Sequence, residues 1–599
     1  MALYAPEEFT PDEAAILRRY VTNLDLPVFA LVNLPEVVKG ALFARYSRSA
    51  KSLRRLFLDE FVGELDVSGD STIDATVGLA RAEQLYERVF FEYGDDSVAQ
   101  LGGVHLACEQ ASNVLTKVLE RGRLMSYLEQ STRYIAYDQR MPSGHYRYHR
   151  PPEILESPLG ARYVGDMDRM FDTYGAMLQR LVAWLTARHP RQAGDSDFVH
   201  RQAVKAKALD AVRGLLPAAS LSNVGMYGDG QAYEALLLRM AAHPLPEVRG
   251  YGAMMLGELR KVIPSFLQRV DLPDRGGKWS AYLAATREET AAEVGRLGLD
   301  RPRVPPAPPG ATELPGGTAG RAADTTAPEV ALLDFDPQGE DKVLAAACLP
   351  FTQASETDLF DRVRRLAPAD RAELLAAYVG DRKNRRHRPG RAFERTDYRF
   401  ELVTDYGAFR DLQRHRILTI EWQPLTTHLG YDVPDLVAEA GEAPAFAEAM
   451  ERSAALHDAL AARFPVQAPY AVALAYRLRY VMQMNAREAM HLIELRSSTQ
   501  GHPSYRRVVQ EMHRLIDEVA GHQAIAGAMV HVDHAPAGLG RLEAERRAES
   551  RRNARDDGTP GHAAVTVAPS AGGRGGGPGD DGVPAQHRGR PPTMKPAAG

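Results

Sequence analysis

Apolar residues recur at three- and four-residue steps from Val164 through Met167, Phe171, Tyr174, Leu178 and Leu181 to Leu185. That spacing predicts one long helix whose face packs on a core. A second helical face carries Phe446, Met450, Leu456 and Leu460. A third apolar run, Val104, Leu106, Ala107, Ala111, Val114, Leu115, Val118 and Leu119, predicts a core helix leading straight into a polar stretch, Arg121–Tyr134. Further helices are expected over 72–91 and 355–378, and Thr10-Pro11-Asp12-Glu13 suits a capped helix start. Tyr398–Val403 alternates apolar and polar positions, as a half-buried strand does, and 330–351 alternates in the same way. Residues 482–496 read as a helix on which Asn485 and Arg496, three turns apart, share a face and Arg487 neighbours His491. The mixture predicts an α+β fold.

Between the two halves, residues 301–330 hold seven prolines, several glycines and no aromatic residue, so they cannot bury enough surface to fold. We place a linker there, with a first domain over 1–300, a second over 331–540 and a charged, then Gly/Pro-rich tail over 541–599 expected to be disordered. Composition adds little: 599 residues, 44% hydrophobic and 25% charged, are ordinary for a globular chain. A net charge of −5, from 73 basic and 78 acidic residues, gives no global field favouring nucleic acid or an anionic membrane. Cys108 and Cys348 are too few for a disulfide framework and sit in apolar surroundings, as buried thiols do. The sequence has no apolar run near the ~20 residues that span a bilayer and no secretory leader pattern at Met1, so a soluble cytoplasmic protein is expected.

The polar stretches carry the candidate chemistry. Arg121, Arg123 and Arg133 can form bidentate pairs with phosphate or carboxylate, Ser126 and Ser131 can complete an anion cradle, and Glu129 can accept from an imide or hydroxyl. The same residues would equally make a solvated helix end with surface ion pairs. A second stretch, Phe409–Thr419, repeats the design: an apolar element, then Arg414-His415-Arg416, then a hydroxyl residue five positions after the first arginine (Thr419, as Ser126 follows Arg121). The basic run Arg382–Arg388 reads first as a solvated loop, and a phosphate or RNA contact is its lesser reading.

Arg-His-Arg followed at these offsets by Ser, Glu, Ser, Arg and Tyr resembles the signature of the flavin-dependent thymidylate synthases. The chain is identified as a duplicated, diverged member of that family. The resemblance implies two tandem domains, each a small sheet packed with long helices, and the methylation of dUMP to dTMP with methylenetetrahydrofolate, reduced FAD and NADPH. The flavin does the chemistry, so no protein nucleophile is expected. By resemblance, substrate contacts fall to Arg121, Arg123, Ser126, Glu129, Ser131, Arg133, Arg213, Arg239 and Arg496. Flavin contacts fall to Arg414, His415, Arg416, Asn485, Arg487 and His491.

The losses are complementary. The first half lacks the signature histidine (Gly122) and asparagine (Leu128), and its counterpart of the flavin helix reads Gly228-Asp229-Gly230. The second half has Glu421, Trp422, Pro424 and Thr426 where the nucleotide residues belong. A composite pocket is therefore expected, one half supplying the nucleotide side and the other the flavin side, in a homodimer that mimics the family's tetramer. No metal is expected. The rival readings are a catalytically silent homologue that binds flavin or nucleotide, a nucleic-acid-binding protein using the 382–391 loop, and a metal hydrolase using His531, Asp533 and His534.

Overall fold

The computed structural model describes residues 7–25, most of 29–42, 51–60, 62, 100, 102–191, 196–300 and 329–535. The expected helix over 72–91, nearly all of the linker, and the tail lie outside the described residues.

Two antiparallel sheets are built to one plan. The first joins β1 (Gly103–Ser112), β2 (Ser126–Glu129) and β3 (Leu221–Asp229) in the order β1-β3-β2. The second joins β4 (Val330–Phe335), β5 (Asp397–Asp405), β6 (Thr419–Trp422) and β7 (Arg477–Asn485) in the order β4-β5-β7-β6. Removing β4 leaves the same order in both. The registers also agree: Ser126 faces Tyr227 and Thr419 faces Gln483, each two residues before the strand's last position, Asp229 or Asn485. β1 and its counterpart β5 each run into a seven-residue helix, Asn113–Leu119 or Tyr406–Leu412, whose N-cap side chain (Ser112 or Asp405) accepts from a backbone amide. Each last strand runs into a helix capped by Asp229 or Asn485. The plan differs at β1, which bulges between Cys108 and Ala111 where Gln110 adopts φ 56° and its amide donates to Asn223.

Several expected elements take their predicted place. The helix Gly160–Arg188 buries Met167, Phe171, Tyr174, Leu178, Leu181 and Leu185, and Ala443–Ala461 buries Phe446, Met450, Leu456 and Leu460. Thr10 and Glu13 form a capping box on the helix Pro11–Tyr20. Four expectations are corrected. Residues 330–351, read as alternating like a strand, are the strand β4 followed by the helix Gly339–Cys348 and a short 3-10 turn. Residues 104–119 are a strand followed by a short helix, because a bulged, two-sided strand carries no clean period of two. Residues 482–496 are likewise the end of β7 followed by the helix Ala486–Arg496. The 355–378 stretch is two helices, Glu356–Val363 and Pro368–Val379, broken where Pro368 opens a new first turn. Cys108 is buried, whereas Cys348 is only partly covered.

The repeats meet along a pseudo-two-fold axis. Pro217 and Ala473, equivalent positions, form an antiparallel bridge. Around them Ala218 donates to Val472 at 2.8 Å, and Leu474 donates to Leu216 at 2.9 Å. Tyr470 reaches across to give its hydroxyl to buried Glu247 (2.6 Å), which also accepts from the amide and hydroxyl of Ser112. One contiguous hydrophobic core runs through both repeats. Among the described residues no helix is long and apolar enough to cross a membrane.

Candidate ligand site between the repeats

The two Arg-x-Arg loops face each other across the pseudo-two-fold. Arg123 donates to the Thr419 hydroxyl at 3.0 Å, and its equivalent Arg416 donates to the Ser126 hydroxyl at 3.2 Å and to the Met125 carbonyl. Arg121 pairs with exposed Glu421 at 2.7 Å and lies over the Trp422 ring. Together the loops wall a solvent-open cleft with about 450 Å³ of empty space, whose lining includes Glu120, Gln413, His415 and Thr419. Gly122 stands where the second repeat has His415. A Cβ there would meet the Tyr127 hydroxyl at 2.6 Å, and that hydroxyl donates to the Gly122 carbonyl, so Tyr127 occupies the space a side chain would need.

Beneath the cleft lies a buried ionic layer. Glu129 accepts from Arg410 at 2.5 Å and from Lys117 at 3.4 Å. Burial alone would raise its carboxyl, but Arg410, Lys117 and Arg414 hold it well below the usual carboxylate range. Lys117 also pairs with buried Glu120, and Gln413 donates its amide to the Lys117 carbonyl at 2.9 Å. Asp411 takes Arg414 at 2.7 Å and Arg213 at 3.4 Å, with Arg496 at 3.8 Å. Sequence reasoning did not assign Lys117, Arg410 or Asp411. The one available signal was Arg410 lying four residues, one helical turn, before Arg414.

His415 is buried and fully engaged. Arg496 donates to its Nε2 at 3.1 Å, which fixes the proton on Nδ1, and that N–H points at Glu488 at 2.9 Å. Burial lowers His415 to about 4 despite Glu488. Glu488 also contacts His491 Nδ1 at 3.3 Å, and the three residues form the one His/Asp/Glu cluster of metal-ligand size among the described residues. A cation there would have to displace the Nδ1 proton while the Arg496 guanidinium sits on the same ring.

The remaining expected residues divide in two. Arg133 is consumed by the fold: a bidentate pair with Asp210 (2.7 and 2.8 Å) and bonds to the Tyr505 hydroxyl and Gln500 carbonyl. Ser131 accepts from the Arg133 amide. By contrast, Arg239 is partly buried yet makes no hydrogen bond or ion pair among the described residues; burial and neighbouring Arg121 both depress its pKa. On the helix Ala486–Arg496, Asn485 caps through its carbonyl oxygen, Arg487 donates to Pro389 and Glu394, and His491 uses only Nδ1. Among the described residues Asn485 Nδ2 and Arg487 Nη2 keep free donor capacity, whereas His491, whose Nδ1–H points at Glu488, keeps Nε2 as an acceptor. His531, Asp533 and His534 do not cluster; His534 faces His513 instead.

The model of the thymidylate synthase complementing protein family matches residues 44–265 and again 331–521. The chain belongs to that family. It matches twice, as a duplicated member does, and the family is in general flavin-dependent. Similar full-length relatives are the UPF0159 proteins of Chlamydia muridarum (38% identical over 544 residues, 90% of this chain and 98% of the relative) and Chlamydia pneumoniae (37% over 548 residues, 91% and 98%). The UPF0159 protein of Thermoplasma acidophilum is 31% identical over 536 residues, covering 85% of this chain and 98% of its own. Those names state no activity.

Proposed function

We propose that this chain is a flavoprotein of the thymidylate synthase type. In this reading it methylates deoxyuridylate to thymidylate with methylenetetrahydrofolate, reduced FAD and NADPH. The observation that carries the proposal is the cation set at the cleft. Among the described residues Arg121, Arg123 and Arg416 are paired only with solvent-facing side chains or neutral oxygens, which a phosphate or carboxylate can replace at little cost. Arg239, near Arg121 and without an acceptor among the described residues, gains most from a phosphomonoester dianion. The free donors of Asn485 and Arg487 fit the acceptor-rich ring and diphosphate of FAD, and the acceptor Nε2 of His491 fits its ring N–H; FAD when bound supplies hydride transfer. The protein's own part is to orient the reactants and offset their negative charge. A cytoplasmic homodimer, with each repeat a domain of its own, belongs to the same reading.

One observation favours a second reading, a silent binding homologue: Arg133, Arg414 and His415 are already engaged inside the protein. The test is a visible spectrum of the purified chain after incubation with FAD and desalting. A retained flavin band that shifts on adding deoxyuridylate, followed by thymidylate formation, is expected. A shifted band without turnover selects the silent homologue, and a colourless protein overturns the flavoprotein reading.

A further inference from the structure

The basic run Arg382–Arg388 takes no part in the cleft, and the fold builds it into a fixed turn. Arg382 is buried, with both terminal guanidinium nitrogens on Glu494 at 2.6 Å and its Nε on the His387 carbonyl at 2.6 Å. The His387 amide donates to the Asn384 carbonyl at 3.0 Å, which closes a β-turn with Arg385 and Arg386 at its tip. The Asn384 side chain accepts from the Arg386 amide at 2.9 Å, and Arg487 holds the Pro389 carbonyl at 2.9 Å. The backbone is thus pinned at both ends while residues 383–388 stay exposed. The flanking cations are answered: Lys383 by Asp381, Arg391 by Glu394 and Arg395 by Glu356. The guanidiniums of Arg385, Arg386 and Arg388 meet no hydrogen-bond partner, carboxylate or ring among the described residues.

We propose that this turn is a docking surface for single-stranded RNA. It holds three uncompensated positive charges within four residues. The chain's net charge of −5 does not cancel them at contact range, because salt screens charges beyond about 8–10 Å. Phosphodiesters match the planar guanidinium fork, which lysine cannot offer. Residues 383–388 include no aliphatic side chain and no Phe, Tyr or Trp, so the turn lacks the apolar anchor that a protein interface or a lipid surface draws on. Guanidinium planes also stack on splayed bases, which a single strand presents and a duplex does not. His387 accepts from the Lys383 amide through Nδ1, so its Nε2–H points elsewhere and can donate to a ribose 2′-hydroxyl. This surface uses none of the arginines given to the cleft and stands without the function proposed above.

The test is fluorescence anisotropy of a labelled oligouridylate of about 20 nucleotides, titrated with the full chain at several salt concentrations. Three phosphate contacts should give a slope of about −2 in log affinity against log salt, a loss of more than about tenfold between roughly 50 and 200 mM. The triple variant Arg385→Gln, Arg386→Gln, Arg388→Gln should bind at least about tenfold more weakly at the lower salt and flatten the slope toward zero. Its urea midpoint and flavin retention should not change, since the three side chains hold nothing in the fold. If that variant does not fold, the triple lysine variant decides: the slope should persist while affinity falls, because the charge is kept and the fork is lost. No binding by the native chain, or equal binding by native and glutamine variant, would overturn the proposal. Equal affinity for oligodeoxyuridylate of the same length would also overturn it, by removing the 2′-hydroxyl. So would displacement of the RNA by polyglutamate or by phosphatidylserine vesicles at matched charge, which would assign the turn to an acidic protein or a membrane. A colourless protein that still binds RNA in this way sinks the flavoprotein reading alone.

Discussion

Arg416 donates to the Ser126 hydroxyl at 3.2 Å, and the equivalent residues of the other repeat repeat the contact, Arg123 to Thr419 at 3.0 Å. Each repeat thus places its second motif arginine on the hydroxyl of the other's short strand. Both guanidiniums are solvent-facing and both acceptors neutral, so these bonds add little stability and leave the charges available. Arg123→Ala and Arg416→Ala should each lower unfolding free energy by less than about 1 kcal/mol. Each should weaken phosphate or nucleotide binding and flatten its salt dependence. Urea melts paired with titrations at two salt concentrations check this; a large stability loss with unchanged binding would make the contacts purely structural.

Beneath them, Glu129 and Arg410 behave oppositely. Both are buried and lie 2.5 Å apart. Removing one partner leaves an uncompensated buried charge, so Glu129→Leu or Arg410→Met alone should cost about 3–5 kcal/mol. The double variant should cost clearly less than the sum, since the two residues couple directly. Additive losses in urea unfolding would refute the pairing.

The fully engaged His415 makes stability depend on pH. Its folded pKa is depressed to about 4 by burial, from an ordinary value near 6.5. The unfolded chain therefore binds more protons in that window. The contribution is full above about 6.5 and is lost as pH falls toward 4, with a slope of at most about 1.4 kcal/mol per pH unit from this group. His243 and His502, also lowered to about 4 by burial, add in the same direction. His415→Gln should flatten the decline of unfolding free energy between pH 7 and 5; an unchanged slope would mean His415 already titrates normally in the fold.

Much of this architecture was legible in the sequence where one local rule decides the outcome. The long helices over 160–188 and 443–461 bury one clean face, and Thr10 and Glu13 announce their own cap. The stretch over 104–119 was not legible, because β1 is bulged at Gln110 and its strand-to-helix change at Ser112 leaves no uniform period. At the site, the Arg-x-Arg loops stood out because their spacing recurs. The division of the arginines did not. That Arg133 is spent on Asp210 while Arg239 meets no acceptor among the described residues depends on residues 77 apart in one case and on the lack of a described partner in the other. The empty place of the signature histidine is likewise set by Tyr127, five residues further on, whose hydroxyl fills it.

Arg239 supports the sharpest separation of binding from folding. The residue is partly buried, lies near Arg121, and meets no acceptor among the described residues. Burial and a like charge both oppose its charged form, so the folded protein bears a cost that an anion would relieve. Arg239→Met keeps the apolar stem and removes the charge. Unfolding free energy should then stay level or rise, within about 1 kcal/mol. Affinity for deoxyuridylate should fall about tenfold or more, the loss of one charge-assisted contact. In the unaltered chain, a phosphate ligand at a hundred times its Kd should add about 2.7 kcal/mol of stability, and the variant should show a smaller increment at the same concentration. A destabilised variant with unchanged affinity would place Arg239 in the scaffold and move the phosphate elsewhere in the cleft.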